Sequence, residues 1–202
     1  MLRRTVILGA AIGLALPALV AAEVATYKLD PAHTEVGFTV RHFVSRVPGR
    51  FNAYDGTVHL DPKDPSTMKV QAKIDATSID TGNEKRDGHL RSPDFFDTAN
   101  HKELTFTSKK VTKNGDRWNM TGDLTMRGVT KEVTLDVEVL GFMPDPWGNE
   151  RAGFEARGKV NRQDFGIRWN EVLDQGGTML SDDVDIVLRV EAVKEKTQQS
   201  SR

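Results

Sequence analysis

Most of this chain alternates apolar and polar residues with a period of two, and that pattern commits it to a sheet rather than to helices. In "HTEVGFTVRHF", Val36, Phe38 and Val40 share one face, and Glu35, Thr39 and Arg41 take the other. In "MKVQAKIDAT", Met68, Val70, Ala72, Ile74 and Ala76 oppose Lys69, Gln71, Lys73 and Asp75. The alternation returns at Trp118, Met120, Leu124 and Met126, then at Phe154, Ala156 and Val160, and again from Val184 through Ala192. Shorter pieces surround Val58–Leu60, Leu104–Phe106 and Val133–Val139. About eight strands result, each with one apolar and one polar face, as in an antiparallel sheet wetted on one side.

The connections fit this reading. "KNGD" (Lys113 to Asp116) places Asn-Gly between two alternating runs, and "RGVTK" (Arg127 to Lys131) puts Gly128 in a second tight turn. "DPKDPS" and "MPDPWGNE" are proline-marked loops. Short turns imply a meander, which either closes into a barrel with room for one small ligand or folds into a sandwich. Periodicity leaves both open.

One segment breaks the pattern. "TGNEKRDGHLRSPDFFD" (Thr81 to Asp97) gathers six charged or imidazole side chains from Glu84 to Arg91, then sets Phe95 and Phe96 between Asp94 and Asp97. Asn83 suits the N-cap of a short helix running to Arg91, and Ser92-Pro93 stops it and starts another turn. A helical insertion is therefore expected around 83–97. Its charges read in two ways. They are a solvated helix face with weak ion pairs, Asp87 to Arg91 among them, or they form a polar gate in which Arg86, His89 and Arg91 meet an anionic head group.

Residues 1–22 read as a secretory leader. "MLRR" is basic, Thr5 to Val20 is apolar with interrupting glycines and a proline, and Val20-Ala21-Ala22 presents small residues for cleavage after Ala22. The run is short of the ~20 apolar residues of a spanning helix. Arg3-Arg4 matches twin-arginine export only in the pair itself. The chain has no cysteine, which excludes disulfides, thiolate metal sites and a lipid-anchored N-terminal cysteine. Export without disulfides favours a bacterial periplasm. Loss of Arg3 and Arg4 with the leader takes the formal charge from −1 to −3, so no basic excess points to nucleic acid. The domain is expected to span 23–194, followed by a polar, disordered tail at 195–202.

The motifs that carry chemistry are missing from the sequence. There is no G-x-S-x-G, no H-E-x-x-H and no glycine-rich phosphate loop after a strand. The histidines at 33, 42, 59, 89 and 101 form no i,i+4 zinc pair. His59 falls on a polar face and reads as solvated, while His33 and His42 flank a strand and are candidates for opposite ends of a barrel. The inward set of Phe38, Met68, Trp118, Met120, Met126 and Phe154 serves a packed core or, equally in composition, the wall of a tunnel for an apolar ligand.

Several of these stretches, in this order, resemble the YceI-like family. They are "YKLDPAHTEVGFTVRH" (Tyr27 to His42), "GNEKRDGHLRSPDFFD" (Gly82 to Asp97), "GDLTMRGVTKEVTLDVE" (Gly122 to Glu138), "DPWGN" (Asp145 to Asn149) and "NRQDFGI" (Asn161 to Ile167), and the resemblance covers about Tyr27 to Val193. It implies an all-β, extended, eight-stranded antiparallel lipocalin-like barrel. It also implies a periplasmic, non-enzymatic carrier that holds a long isoprenoid-type lipid, such as a polyprenyl phosphate or a quinone, and needs no cofactor or metal. Carried over by position, Phe38, Val40, Phe95, Phe96, Met126, Phe154, Phe165 and Trp169 are expected to line the cavity. His33, His42, Arg86, His89 and Arg91 are expected to meet the polar head. Asp87, Asp94, Asp97 and Asp164 are expected to order loops. The expected partner is a long-chain isoprenoid or similar amphiphile, and transient membrane contact and a homodimer are the further associations such a barrel admits. Sequestration of toxic lipophiles or quinone handling under stress is the alternative role, and an enzyme acting on the lipid head through His89 with Asp87 or Asp94 is the remaining one.

Overall fold

The computed structural model describes residues 23–172 and 176–196. The expected leader, its cleavage point and residues 197–202 of the expected tail lie outside them. Eleven strands form one sheet: β1 (Ala25–Leu29), β2 (Glu35–His42), β3 (Ser45–Phe51), β4 (Tyr54–Asp61), β5 (Asp64–Asp75), β6 (Ile79–Asp80), β7 (Glu103–Asn114), β8 (Arg117–Met126), β9 (Val129–Pro144), β10 (Glu150–Asn161) and β11 (Leu180–Lys194). Helix α1 (Glu84–Arg91) is the sole α-helix among the described residues.

The sheet closes because β1 pairs with β4 on one side and with β11 on the other. Around the ring the order is β1, β4, β5, β7, β8, β9, β10, β11, and every pairing is antiparallel. The eight-stranded meander is therefore a closed barrel, not a sandwich. Eleven segments make eight staves because two long strands are each broken in two and the two-residue β6 only extends the edge of β3. β1 and β2 both pair with β11, and β3 and β4 run back along them.

Local polar chemistry makes the breaks. Asp30 turns the chain between β1 and β2, its Oδ1 accepting from Ala32 N at 3.0 Å and its carbonyl from His33 N at 3.1 Å. Between β3 and β4, Asn52 N and Ala53 N are taken up by the Ser78 carbonyl and hydroxyl. Tyr54 then ties both breaks together by donating its hydroxyl to the Thr34 carbonyl.

Alternation sends apolar side chains inward and Lys69, Gln71 and Lys73 outward, the reverse of a barrel built to sit in lipid. The end that carries the 61–64, 114–117 and 144–150 connections is filled. Tyr27, Leu60, Ala152 and Ala192 are wholly buried there, and Phe142 lies 6.0 Å from Tyr27 and 6.4 Å from Phe154, centroid to centroid. Trp118 packs into this filled end, inward as expected but below the lumen. The DPWGN loop is structural. The Asp145 carboxylate accepts from Trp147 N, Asn149 N, Asn149 Nδ2 and Arg151 Nε, and these donors hold it below the usual carboxylate range.

The other end is built differently. β6 adds two residues to the edge of β3, after which the chain leaves the sheet until β7 begins at Glu103. Helix α1 and the turns after it occupy that gap, and the 162–179 connection lies at the same end.

Candidate functional site

Inside the barrel, between the filled end and α1, lies a cavity of about 840 Å3. That is near the top of the roughly 300–1,000 Å3 range of small-molecule pockets. Its middle is apolar, with Val58, Met68, Phe106, Met120, Val137 and Phe154 around the wall. Polar groups border it mainly at the helical end, where Thr81, Asn83, Lys85, Arg86, His89 and Arg162 gather.

Three inward glycines set the bore. A Cβ on Gly49 would meet the Phe38 ring at 2.3 Å, one on Gly122 would meet the Phe106 ring at 2.6 Å, and one on Gly158 would meet Leu135 Cδ2 at 2.6 Å. Phe38 and Gly49 are register partners, as are Leu135 and Gly158. Each large side chain lies back over a glycine, flat against the wall, and leaves the lumen open.

The insertion forms the roof. Asn83 caps α1, its Oδ1 accepting from Arg86 N at 3.0 Å. The helix is polar on most sides, so hydrogen bonds to the chain leading into it replace an apolar face. Asp87 is buried and accepts from Thr81 N and Thr81 Oγ1. Arg86 donates Nε to Thr81 Oγ1 at 2.7 Å and Nη2 to the Thr81 carbonyl at 2.8 Å. Asp87 thus orders the loop, but through Thr81 rather than through Arg91. The following turn brings Phe95 and Phe96 down onto the cavity. Phe96 meets Phe51 edge-on at 5.6 Å, and Phe95 lies 5.3 Å from Trp169. His89 stands edge-on to both Phe95 and Trp169 at 5.0 Å, with its Nε2 2.9 Å from Asp94 Oδ2.

Of the residues expected at the wall, Phe38, Val40, Phe95, Phe96, Met126, Phe154 and Trp169 border the cavity. Phe165 does not: it is wholly buried in a 3-10 turn (Arg162–Phe165) packed against β9 and β11. Of the expected polar contacts, His42, Arg86 and His89 border the cavity, and His33 and Arg91 do not. His33 sits on the outer surface at the β1–β2 break, not at a barrel end, with Nδ1 2.9 Å from Asp30 Oδ2. Asp30 also meets Arg151, and these two partners hold its carboxyl down at about 2. Asp30, His33 and Glu191 lie close enough to suggest a metal site, but Arg151 Nη1 already bridges Asp30 and Glu191. Arg91 turns away from the lumen to donate Nε to the Thr77 carbonyl at 2.8 Å and Nη2 to the Ile79 carbonyl at 2.9 Å. His59, expected to be solvated, is half-buried and bonds Thr26 Oγ1 at 2.8 Å. Asp97 orders its turn as expected, taking both bonds from Asn100 Nδ2, whereas Asp164 is exposed.

Sequence reasoning missed Arg162. It is 4% exposed and borders the cavity, yet its guanidinium is engaged on all sides. It donates to the carbonyls of Ser181, Ile167 and Trp169 and to Asp182 Oδ1, fastening the lip that carries Trp169. Burial lowers its pKa, and Asp182 opposes that shift. The signal was present, because Arg162 continues the inward series Phe154, Ala156, Gly158, Val160. Lys85 Nζ and Arg86 Nη1, by contrast, find no protein acceptor among the described residues, so both offer N–H donors at the cavity's polar end.

The comparisons agree with this architecture. Residues 27–192 match the YceI-like domain. Protein YceI of Escherichia coli O157:H7 is 45% identical over 175 residues, covering 85% of this chain and 88% of the relative. The crystal structure of the Campylobacter jejuni YceI protein superposes with a TM-score of 0.68 at 36% identity, covering 83% of this chain and 97% of that one. A polyisoprenoid binding domain from Saccharophagus degradans, described as implicated in plant cell wall breakdown, shares the fold with a TM-score of 0.58 at 16% identity, over 86% of this chain and all of that one. The chain belongs to the YceI-like family.

Proposed function

We propose that this protein is a non-enzymatic carrier that holds one long isoprenoid-type lipid in the barrel, tail toward the filled end and head toward α1. The observation that carries the reading is the polarity gradient of a single cavity, apolar along its length with unpaired cationic donors at one end. At about 30 Å3 per group, the share one water takes in the liquid, 840 Å3 accommodates roughly 28 methylene-sized groups. Each is worth about 0.8 kcal/mol when removed from water. The sum is close to the ceiling for non-covalent affinity before association costs are subtracted. A membrane-resident lipid has already gained that energy from the bilayer, so the net transfer is near neutral. A near-neutral balance suits reversible carriage better than permanent capture.

The head group is a phosphate or a quinone-like acceptor, and Lys85, Arg86 and His89 are its donors. The two hydroxyl-bearing residues that border the cavity are both engaged, Thr81 by Asp87 and Arg86 and Tyr54 by the Thr34 carbonyl, which supports binding rather than chemistry. The polyisoprenoid binding described for the S. degradans domain adds weight at the level of the fold. The leader-like residues 1–22 support a periplasmic location for the carrier.

Native mass spectrometry of protein expressed with residues 1–22 tests both points. The expected result is a chain beginning at Glu23 with a non-covalent isoprenoid-type adduct. Apo protein alone, with no uptake of prenyl lipids or quinones after delipidation, overturns the carrier reading. Phosphate release from a prenyl pyrophosphate, abolished in His89→Ala, would establish an enzyme instead.

A further inference from the structure

Exposed apolar side chains gather at both ends of the barrel. At the filled end stand Leu140, Met143 and Trp147, and nothing in the structure indicates what covers them. At the helical end stand Phe43, Val44 and Val172. Here the backbone adds a second observation.

Phe43 and Val44 are the two central residues of the β2–β3 hairpin, whose last pair is His42 with Ser45. Phe43 has φ +49°, a left-handed conformation that costs a bulky residue and suits glycine. The β7–β8 hairpin shows the usual solution, with Gly115 at the equivalent position and φ +60°. The β2–β3 turn instead holds an aromatic against its preference, 40% exposed, beside a valine that is fully exposed. The Phe43 ring meets His42 edge-on at 4.4 Å while Val44 is uncovered, and a bulky apolar pair held in this conformation at a solvent-facing tip indicates a use for those side chains.

The surroundings identify the use. Arg41 and Arg46 flank the tip, and no acidic residue lies between Arg41 and Val47. Arg41 Nη1 donates to the Phe43 carbonyl at 2.9 Å, which fixes one cation at the apex, while Arg46 pairs in the open with Asp185. The segment next to the tip adds one more exposed apolar side chain, Val172. Phe43 N donates to the Met179 carbonyl and Met179 N to the Glu171 carbonyl, placing Val172 alongside. His42 and Val47, just inside the tip, border the cavity.

We propose that the Phe43–Val44 tip, with Arg41 and Arg46, docks the helical end of the barrel on an anionic lipid surface. The cavity then faces the bilayer with which it exchanges its occupant. Interfacial binding of this kind combines a small inserted apolar area with attraction to anionic head groups. Glu171, Asp182, Asp183 and Asp185 limit the net charge of this end, so insertion of Phe43 and Val44 dominates and salt weakens docking only in part. The inference rests on the lipid-carrier reading, and its test is separable from the test of that reading.

Vesicle flotation supplies the test, with phosphatidylglycerol/phosphatidylcholine vesicles compared with phosphatidylcholine alone. The double variant Phe43→Gly, Val44→Ser gives the hairpin the residues its turn prefers, so misfolding does not confound the result. The expected outcome is flotation of the wild type on the anionic vesicles and at least about tenfold weaker partition of the variant. The variant's melting temperature should be equal or higher and its lipid content by native mass spectrometry unchanged. Equal flotation of variant and wild type, or no flotation of the wild type, overturns the proposal. So does a variant whose main change is loss of a dimer by light scattering, which would make the tip a self-association surface. Absence of bound lipid in both proteins refutes the carrier reading whatever the vesicles show.

Discussion

Gly49→Ala is the substitution whose consequence the structure specifies most closely. The new Cβ would start 2.3 Å from Phe38 Cζ and must be relieved to at least 3.4 Å for ordinary contact. The sheet fixes the backbones of the register partners Phe38 and Gly49, so the Phe38 ring swings about 1 Å or more into the lumen. Forced overpacking costs about 1–3 kcal/mol in a filled core. Here the ring has empty space to enter, and Gly→Ala recovers about 0.4–1 kcal/mol from the unfolded chain. The lipid-free protein should therefore melt within a few degrees of wild type. The lumen, however, loses room for one or two methylenes of its occupant, about 1.5 kcal/mol, or roughly tenfold in Kd. Titration of delipidated protein with a fluorescent prenyl probe, together with melting curves with and without lipid, reads both quantities. Unchanged affinity with a lipid-free protein destabilised by about 3 kcal/mol would show that Phe38 belongs to a closed core and would refute the reasoning.

Other positions give independent checks. Phe95→Asp should reduce lipid retention in native mass spectra far more than Lys85→Ala, since Phe95 is buried against the cavity while Lys85 is exposed; equal effects would remove the insertion from the wall. Arg162→Met should destabilise the fold by about 2–4 kcal/mol, read as a lower melting temperature, because three carbonyls and Asp182 lose their donor at once, and it should expose Trp169 to a quencher. Asp30 has its folded pKa depressed to about 2 from an ordinary 3.8, so the stability it contributes is complete above about pH 4 and is lost as pH falls toward 2. Removing its partner in Arg151→Met should move the acid-unfolding midpoint, followed by circular dichroism, to higher pH; an unmoved midpoint would show that the outer cluster is not coupled to folding.

The strands and their faces were legible because period-two alternation reports which side of a strand is wet, but alternation left barrel and sandwich open, and the closed barrel was implied only by the resemblance to the YceI-like family. The strand breaks at Asp30–Thr34 and Asn52–Ala53 were not legible, since they depend on side chains capping backbone groups far away in sequence, Ser78 and Thr34 among them. Asn114-Gly115 correctly marked a hairpin, but Asn114 remains in the strand opposite Arg117 and Gly115-Asp116 make the turn. The helix from Asn83 to Ser92 followed from its caps alone. The destinations of charge were the least legible part. Arg91 was read toward a ligand head and is instead consumed by two carbonyls. Arg162 was overlooked although the alternation points it inward. A sequence shows that a guanidinium is present; only the fold shows which carbonyls are left over for it. The family resemblance places Phe165 with the cavity wall by position, but a 3-10 turn ending at Gly166 (φ +77°) directs it away from the lumen.

The central claim is that one apolar lumen, polar at the α1 end, carries an isoprenoid-type lipid, and the most direct measurement is the mass of whatever the protein retains when isolated gently from the cells that make it. The account predicts a native spectrum with a one-to-one adduct that organic extraction releases as a prenyl lipid or quinone, and that Gly49→Ala diminishes. A spectrum of apo protein alone, unaltered by incubation with prenyl phosphates and quinones, would contradict it.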